Sequence, residues 1–257
     1  MSTGSEPAWL AHVISLFPQE FAQACGMGVT GAAIERGTVA LKTWNPRDFT
    51  QDKHRRVDDR PYGGGPGMVM QYQPLSDTLA AVRRQAGADG LPLVCLSPQG
   101  KPLTQQWVRQ AARAQGMIFL CGRYEGIDER FIKRHVDEEI SLGDFVLSGG
   151  ELAAAVIVDA VTRMLPGVLG HSGSAEQDSF SEGLLDCPHY SRPEEVDNMR
   201  VPPVLLGGDH AAIERWRRQQ MLGRTWLRRP ELLETLQLSD QDQRLLEQWQ
   251  RDNGYRN

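Results

Sequence analysis

Between Val57 and Met70 the chain reads Val-Asp-Asp-Arg-Pro-Tyr-Gly-Gly-Gly-Pro-Gly-Met-Val-Met, so five successive residues after Tyr62 are glycine or proline. Neither a helix nor a central strand tolerates that run, and the segment has to be a shaped loop. Glycine opens backbone conformations closed to other residues and lets main-chain amides approach a bound group, while each proline fixes its own φ and restricts the residue before it. A tight surface connection accounts for one or two of these glycines. The whole run points to a loop that holds a ligand or a nucleic acid.

Nucleotide phosphate loops are excluded by the residues themselves. A P-loop needs Gly, four residues, then Gly-Lys-Ser/Thr, and the Gly100-Lys101 pair is followed by Pro102 where the hydroxyl should stand. No Gly-x-Gly-x-x-Gly follows a plausible strand, which removes the dinucleotide fingerprint. Leu147-Ser148-Gly149-Gly150-Glu151 comes close to an ABC-type ATPase signature, but that reading fails without a phosphate loop.

At 257 residues, 40% hydrophobic and 24% charged, the chain has the make-up of an ordinary globular protein with one large or two modest domains. The start, Met1 to Ala8, carries no basic or apolar run, and the longest apolar stretch, Leu152 to Val158, is far too short to cross a bilayer. A cytosolic protein without a membrane partner is expected. Cys25, Cys95, Cys121 and Cys187 show no Cys-x-x-Cys spacing and read as reduced, mostly buried thiols. Cys187-Pro188-His189 offers two metal ligands without a second pair, so no metal site is assigned. The net charge of −5 argues against a protein that coats nucleic acid indiscriminately. Yet Ala211 to Arg229 holds six arginines (Arg215, Arg217, Arg218, Arg224, Arg228, Arg229) against one acid, Glu214, with Trp216 and Trp226 among them. That is a cationic, aromatic surface of the kind RNA binding uses, or else a solvated helix face.

Short apolar runs alternate with helical stretches through the first two thirds. Strands are expected at Ala11 to Phe17, Val39 to Trp44, Leu91 to Leu96, Met117 to Cys121 and near Phe145 to Leu147; helices at Leu75 to Gln85, Gln105 to Ala114, Asp128 to His135 and Leu152 to Met164. Thr104 is the expected cap of the second helix and Gly116 its stop. Such alternation predicts an α/β domain with a mainly parallel sheet, whose ligands gather at the carboxyl ends of the strands. Ser97 to Gly100, Gly122 to Gly126 and Ser141 to Gly150 should then frame a pocket for one small molecule. From Gly170 to Gly183 the composition turns small and polar, as in a mobile linker. Ala211 to Leu222, Pro230 to Leu236 and Asp240 to Asp252 follow as helices of a small second domain.

Several separated motifs coincide with one family. Pro46 to Phe49, Asp58 to Met68, Leu96 to Gly100, Gly122 to Arg130, Ser148 to Leu152, Pro166 to His171, Asp178-Ser179-Phe180, Gly183 to Tyr190 and Leu222 to Leu233 together resemble the bacterial tRNA (guanine-37, N1)-methyltransferases, the TrmD family, over almost the whole chain. The resemblance implies a SPOUT-class fold, with a domain at 1–169 tied in a deep trefoil knot around S-adenosyl-L-methionine, a linker at 170–183 and an all-helical tRNA-binding domain at 184–257. It also implies a cytoplasmic homodimer with shared active sites, which methylates N1 of guanine 37, next to the anticodon.

Guanine N1 carries a proton at neutral pH. Methylation therefore needs a base for that proton and a cation for the charge that develops on O6. By the resemblance, Asp178 is the base and Arg163 the O6 partner. An exposed aspartate, with a pKa of about 3.9, is a feeble base, so the role requires the segment to close over the guanine and take the carboxylate out of water. Carried over as cofactor contacts are Ser97, Pro98, Gln99 and Gly100; Gly122, Tyr124 and Glu125; and Ser141, Leu142, Gly143, Asp144, Phe145, Val146 and Leu147 with Gly149 and Gly150. Glu125 either faces the donor's positive charge or caps a helix. Some members of the family require magnesium (Mg2+), but no carboxylate cluster marks a site here. Cys95 and Phe145 stand where the family often has Tyr, and Ala153 where it often has Pro. A catalytically silent RNA-binding relative and a nucleotide hydrolase are the competing readings; retention of Asp178, Arg163 and the three loops opposes the first, and the missing phosphate loop the second.

Overall fold

The computed structural model describes residues 7–85, 87–170 and 178–255, and the chain divides into two compact units, 1–170 and 171–257. The first is built on five parallel strands: β1 (Trp9–Ile14), β2 (Val39–Trp44), β5 (Leu93–Pro102), β6 (Gly116–Cys121) and β7 (Glu138–Ser141), ordered β2-β1-β6-β5-β7, with a short antiparallel pair, β3 (Asp58–Asp59) and β4 (Val69–Met70), between β2 and β5 in the chain. Every residue of β6 is buried. A strand covered on both faces needs an unbroken apolar run, which Gly-Met-Ile-Phe-Leu-Cys supplies.

Alternation along the strands feeds two cores. Met117, Phe119 and Cys121 pack with Trp9, Ala11 and Val13 under α1 (Pro18–Ala24), α2 (Gly28–Glu35), α4 (Gln105–Arg113) and α6 (Glu151–Thr162). Ile118 and Leu120 face the other way with Ile14, Leu93 and Cys95, against Leu75, Leu79 and Val82 of α3 (Tyr72–Arg83) and Phe131 of α5 (Glu129–His135). Each fully buried Leu or Ile contributes roughly 1.5–3 kcal/mol, so this double layer sets the frame on which the loops are hung.

Several expected boundaries move. The apolar Phe145 to Leu147 is not a strand: its side chains are exposed, and the fifth strand is Glu138–Ser141. There alternation fails as a signal, because the acids Glu138 and Glu139 precede Ile140. Helices α1 and α2 were not expected; Pro18 opens α1 at a position where proline costs nothing, and glycines at 26, 28 and 31 weaken the helical signal of α2. Thr104 does cap α4, its hydroxyl accepting from the Trp107 N–H, but the helix stops at Arg113 and Gly116 opens β6. All four thiols are buried; desolvation raises Cys25 to about 11 and Cys95 to about 12, so both stay protonated and unreactive at neutral pH.

The second unit holds helices His210–Arg228, Pro230–Glu234 and Asp240–Asp252. It is not all-helical, because Glu195–Val196 pairs antiparallel with Met199–Arg200. Trp226, Trp249 and Tyr255 pack ring against ring, the last two stacked at 5.7 Å. Of the expected linker, 171–177 lie outside the described residues. The remainder is folded: the Ser181 N–H reaches the Asp178 carbonyl at 3.1 Å, the Phe180 N–H the Leu184 carbonyl at 2.7 Å, and Gly183 sits against Leu236.

His12, on buried β1, is held neutral because burial, and then Lys42, lowers its pKa below 6.5; its Nδ1 accepts the Trp44 indole N–H at 3.1 Å. Below about pH 6.5 the unfolded imidazole takes a proton that the folded one refuses, so stability falls as pH drops, by at most about 1.4 kcal/mol per unit for this group. His12→Gln should flatten the melting-temperature profile between about pH 7 and pH 5. A profile as steep as the parent's would remove His12 from the account.

Candidate functional site

Three loops leave the sheet at one edge, each by a different device. Strand β5 leaves its ladder with β7 after Leu96 and re-enters at Lys101, both residues facing Ile140, so Ser97 to Gly100 is pushed out as a bulge. The Ser97 hydroxyl accepts from the Gln99 N–H at 3.1 Å. Re-entry demands glycine: a Cβ on Gly100 would lie 2.4 Å from the Glu139 carbonyl carbon. After β6, Gly122 to Gly126 turns with Tyr124 at φ +62. After β7, the Ser141 hydroxyl folds the next turn, accepting from the Gly143 N–H at 3.2 Å. The chain then enters α6 with the Gly150 N–H donating to the Gly122 carbonyl at 3.0 Å, which ties the third loop to the second.

Between them lies a cleft of about 390 Å³, the size of a site for one small molecule. Ser97, Pro98, Gln99, Gly122, Tyr124, Glu125, Ser141, Leu142, Gly143, Phe145, Val146, Leu147, Gly149 and Gly150 all line it. Gly100 and Asp144 do not: Gly100 is spent on the close approach to β7, and Asp144 is exposed on the outside of its turn. Glu139 also lines the cleft and was not expected from sequence, and Arg123 lines it from within the expected Gly122 to Gly126 loop, though not named there as a contact. Cys95 and Ala153 are buried at its wall, where larger residues would narrow it.

The glycine-rich loop is anchored to the second of these loops. Asp58–Asp59 pairs with Val69–Met70, with Tyr62 and the run from Gly63 to Gly67 fully exposed between them. All four glycines of the run have φ between +75 and +112, a region closed to most side chains. The Glu125 N–H donates to the Met68 carbonyl at 3.0 Å and the Met70 N–H to the Gly126 carbonyl at 2.9 Å. Tyr124 accepts at its hydroxyl from Arg47 at 3.3 Å, while burial and then nearby Asp58 raise its pKa.

Arg163 closes α6 in the first unit and is half-buried; Asp178, also half-buried, belongs to the second. The arginines of the basic stretch divide in two. Arg218 is committed within the unit, its Nε and Nη2 forking onto Asp242 at 2.8 and 2.9 Å and its Nη1 reaching Glu182 at 2.7 Å. Trp226 is committed to the aromatic cluster, and Arg229 pairs with Glu231. Arg215, Arg217 and Arg228 are exposed. Elsewhere in the second unit, Asp186, Cys187 and His189 place ligand atoms within 4.8 Å of one another, but Asp186 already accepts from His189 at 2.8 Å and from the Cys187 N–H at 2.6 Å.

Similarity to known proteins follows the same lines. The family profile of the tRNA (Guanine-1)-methyltransferase TrmD matches residues 10–235. The chain belongs to that family. A TrmD relative from Shewanella amazonensis, a tRNA (guanine-N(1)-)-methyltransferase, is 61% identical over 241 residues, 94% of this chain and 96% of its own length. One of the same name from Photorhabdus laumondii is 58% identical over 245 residues, 95% of this chain and 97% of its own. Another, from Yersinia enterocolitica, is 58% identical over 245 residues, 95% and 99% of the two chains. Both units of the chain are thus represented in the TrmD relatives.

Gly100→Ala should cost about 1–3 kcal/mol by overpacking against β7, whereas Gly64→Ala, with open space around its Cβ, should cost only roughly 1 kcal/mol for its positive φ. Urea titration of the two variants measures the difference. Equal midpoints would show that the closure of β5 on β7 does not depend on Gly100.

Proposed function

We propose that this TrmD family member transfers a methyl group from S-adenosyl-L-methionine to N1 of guanine 37 in tRNA. The observation that carries the reading is the convergence of three glycine-bearing loops on one cleft at the carboxyl edge of the sheet. In that cleft Ser97, Pro98 and Gln99, the Gly122 and Tyr124 turn and the Ser141 to Leu147 loop would hold the donor, whose sulfonium supplies an electrophilic methyl group. The reading includes the SPOUT class and its trefoil knot; the parallel sheet, with its last strands feeding these loops, supports it.

The remaining chemistry falls to the protein. Asp178 accepts the proton of guanine N1, and Arg163 donates to O6 as negative charge collects there. Both side chains being half-buried favours these roles, since a partly water-excluded carboxylate or guanidinium acts more strongly on a neighbouring charge. The exposed Arg215, Arg217 and Arg228 contact phosphates of the anticodon arm, and the glycine-rich loop grips the guanine. Magnesium stays in the reading only as a requirement of some family members. Among the described residues the grouping close enough to share an ion contains a thiol and an imidazole, which suit a softer metal.

Methylation of unmodified tRNA bearing guanines at positions 36 and 37, mapped by mass spectrometry, tests the assignment. The parent protein should yield N1-methylguanine at 37 and Asp178→Asn almost none, while Arg215→Ala with Arg217→Ala should raise the KM for tRNA and leave kcat unchanged. Equal rates from the parent and Asp178→Asn would remove Asp178 as the base; binding of the donor without any product would favour the silent relative.

The homodimer with shared active sites belongs to the same reading. Leu152 and Val156 stand exposed four residues apart on α6, 62% and 49% accessible, and Met27 and Val29 are exposed at the start of α2, which packs beside α6. Such a cluster of apolar side chains is the kind of surface an obligate interface covers. Light scattering should give twice the chain mass for the parent and a monomer for Leu152→Arg; a monomeric parent would end this part of the proposal.

A further inference from the structure

The turn that carries Gly149 and Gly150 is held by a buried polar ring that no backbone pairing requires. Glu151, at the start of α6, is only 7% exposed. Its Oε1 accepts the Ser15 hydroxyl at 2.7 Å, and its Oε2 accepts Arg123 Nε at 2.9 Å and lies 2.8 Å from Nη2 in an ion pair. Ser15, fully buried after β1, accepts in turn from the Phe17 N–H at 2.9 Å. The Arg123 guanidinium lies over the Phe17 ring at 4.4 Å and donates from Nη1 to the Ser148 carbonyl at 3.2 Å. A Cβ on Gly149 would stand 2.2 Å from Arg123 Nε, so the guanidinium fills the space that a side chain on the turn would take.

We infer that Arg123, Glu151 and Ser15 are positioning residues for the methyl donor: they hold the Ser148 to Gly150 turn against the Gly122 loop and so set the shape of the cleft. The inference rests on the reading of the cleft as the donor site. Glu151 is not among the residues that line the cleft, so its effect on a ligand must pass through Arg123 and the turn. A carboxylate buried this far is costly to desolvate and is retained where its partners fix a geometry. The guanidinium meets Oε2 with Nε and Nη2 while its Nη1 donates to the Ser148 carbonyl, a spread of fixed donors that the single ammonium of lysine cannot reproduce.

The test is calorimetric binding to the full-length protein of S-adenosylhomocysteine and of 5′-methylthioadenosine, which lacks the amino-acid end. Glu151→Gln, Arg123→Met and Arg123→Lys should each weaken both ligands by the same factor, roughly tenfold to a hundredfold, and the Glu151→Gln, Arg123→Met double variant should lose little more than either single one, as members of one network do. Ser15→Ala, which keeps the ion pair, should show a smaller loss of the same kind. Melting temperatures fix a working temperature at which every variant is folded, so loss of stability is read separately from loss of affinity. Affinities unchanged at that temperature would overturn the inference. So would a loss in Arg123→Met confined to S-adenosylhomocysteine, which would make Arg123 a direct contact to the ligand's carboxylate. A parent protein that binds neither ligand would instead bring down the donor-site reading itself, and the positioning role with it.

Discussion

The site depends on one constraint, the re-entry of β5 into its ladder with β7. Leu96 and Lys101 both face Ile140, so four residues must leave the sheet and return within the space of a single partner. The excursion can only rise from the carboxyl edge, where the β6 and β7 loops also emerge. A parallel sheet has no hairpin to place a binding loop beside a strand end; an interrupted strand does so with the main chain alone. Glycine at 100 is what lets the strand close again, and its exclusion from the cleft wall shows that its role is in the backbone.

Legibility in the sequence followed the strength of the local signal. Strands β2 and β6 and the helix Asp240–Asp252 were readable nearly to the residue, because the short β-prone run of β2, the unbroken apolar run of β6 and the firm Ser239 cap of the helix leave one solution. Strand β7 was not, because Glu138 and Glu139 look like surface while their backbone completes the sheet, and the apolar Phe145 to Leu147 looked like the strand they displaced. A residue exposed to line a cleft and one buried in a core have the same composition, and only the fold separates them. The same ambiguity affects the arginines. Composition could not show that Arg218 forks onto Asp242, a partner 24 residues away, or that Trp226 belongs to an aromatic cluster rather than to a stacking surface.

Arg123 and Glu151 show what motif reading passes over. Both stand inside stretches quoted for their glycines, yet the contact that joins them spans 28 residues and draws in Ser15 from 136 residues away. Glycine-rich loops are pliant by composition, and pliancy is a liability where a ligand must be held in one pose. The ring opposes it by tying the Ser148 to Gly150 turn to the Gly122 loop. Its ion pair contributes modestly to stability once desolvation is counted, but a buried carboxylate that must keep both Ser15 and Arg123 as partners tolerates few other arrangements of the turn.

The charge balance fits a division of labour along the chain. With a net charge of −5, the protein has no general attraction for polyanions to rely on, and Arg218 of the basic helix and Arg229 just after it are paired with acids of the same unit. Arg215, Arg217 and Arg228 remain exposed, so under the proposed tRNA reading few phosphates would be engaged from that helix, and its salt dependence would be correspondingly shallow. On that reading selection would fall on contacts that read a particular base, and the exposed glycine-rich loop, hydrogen-bonded to the Gly122 to Gly126 loop through Met68 and Met70, would make that close approach.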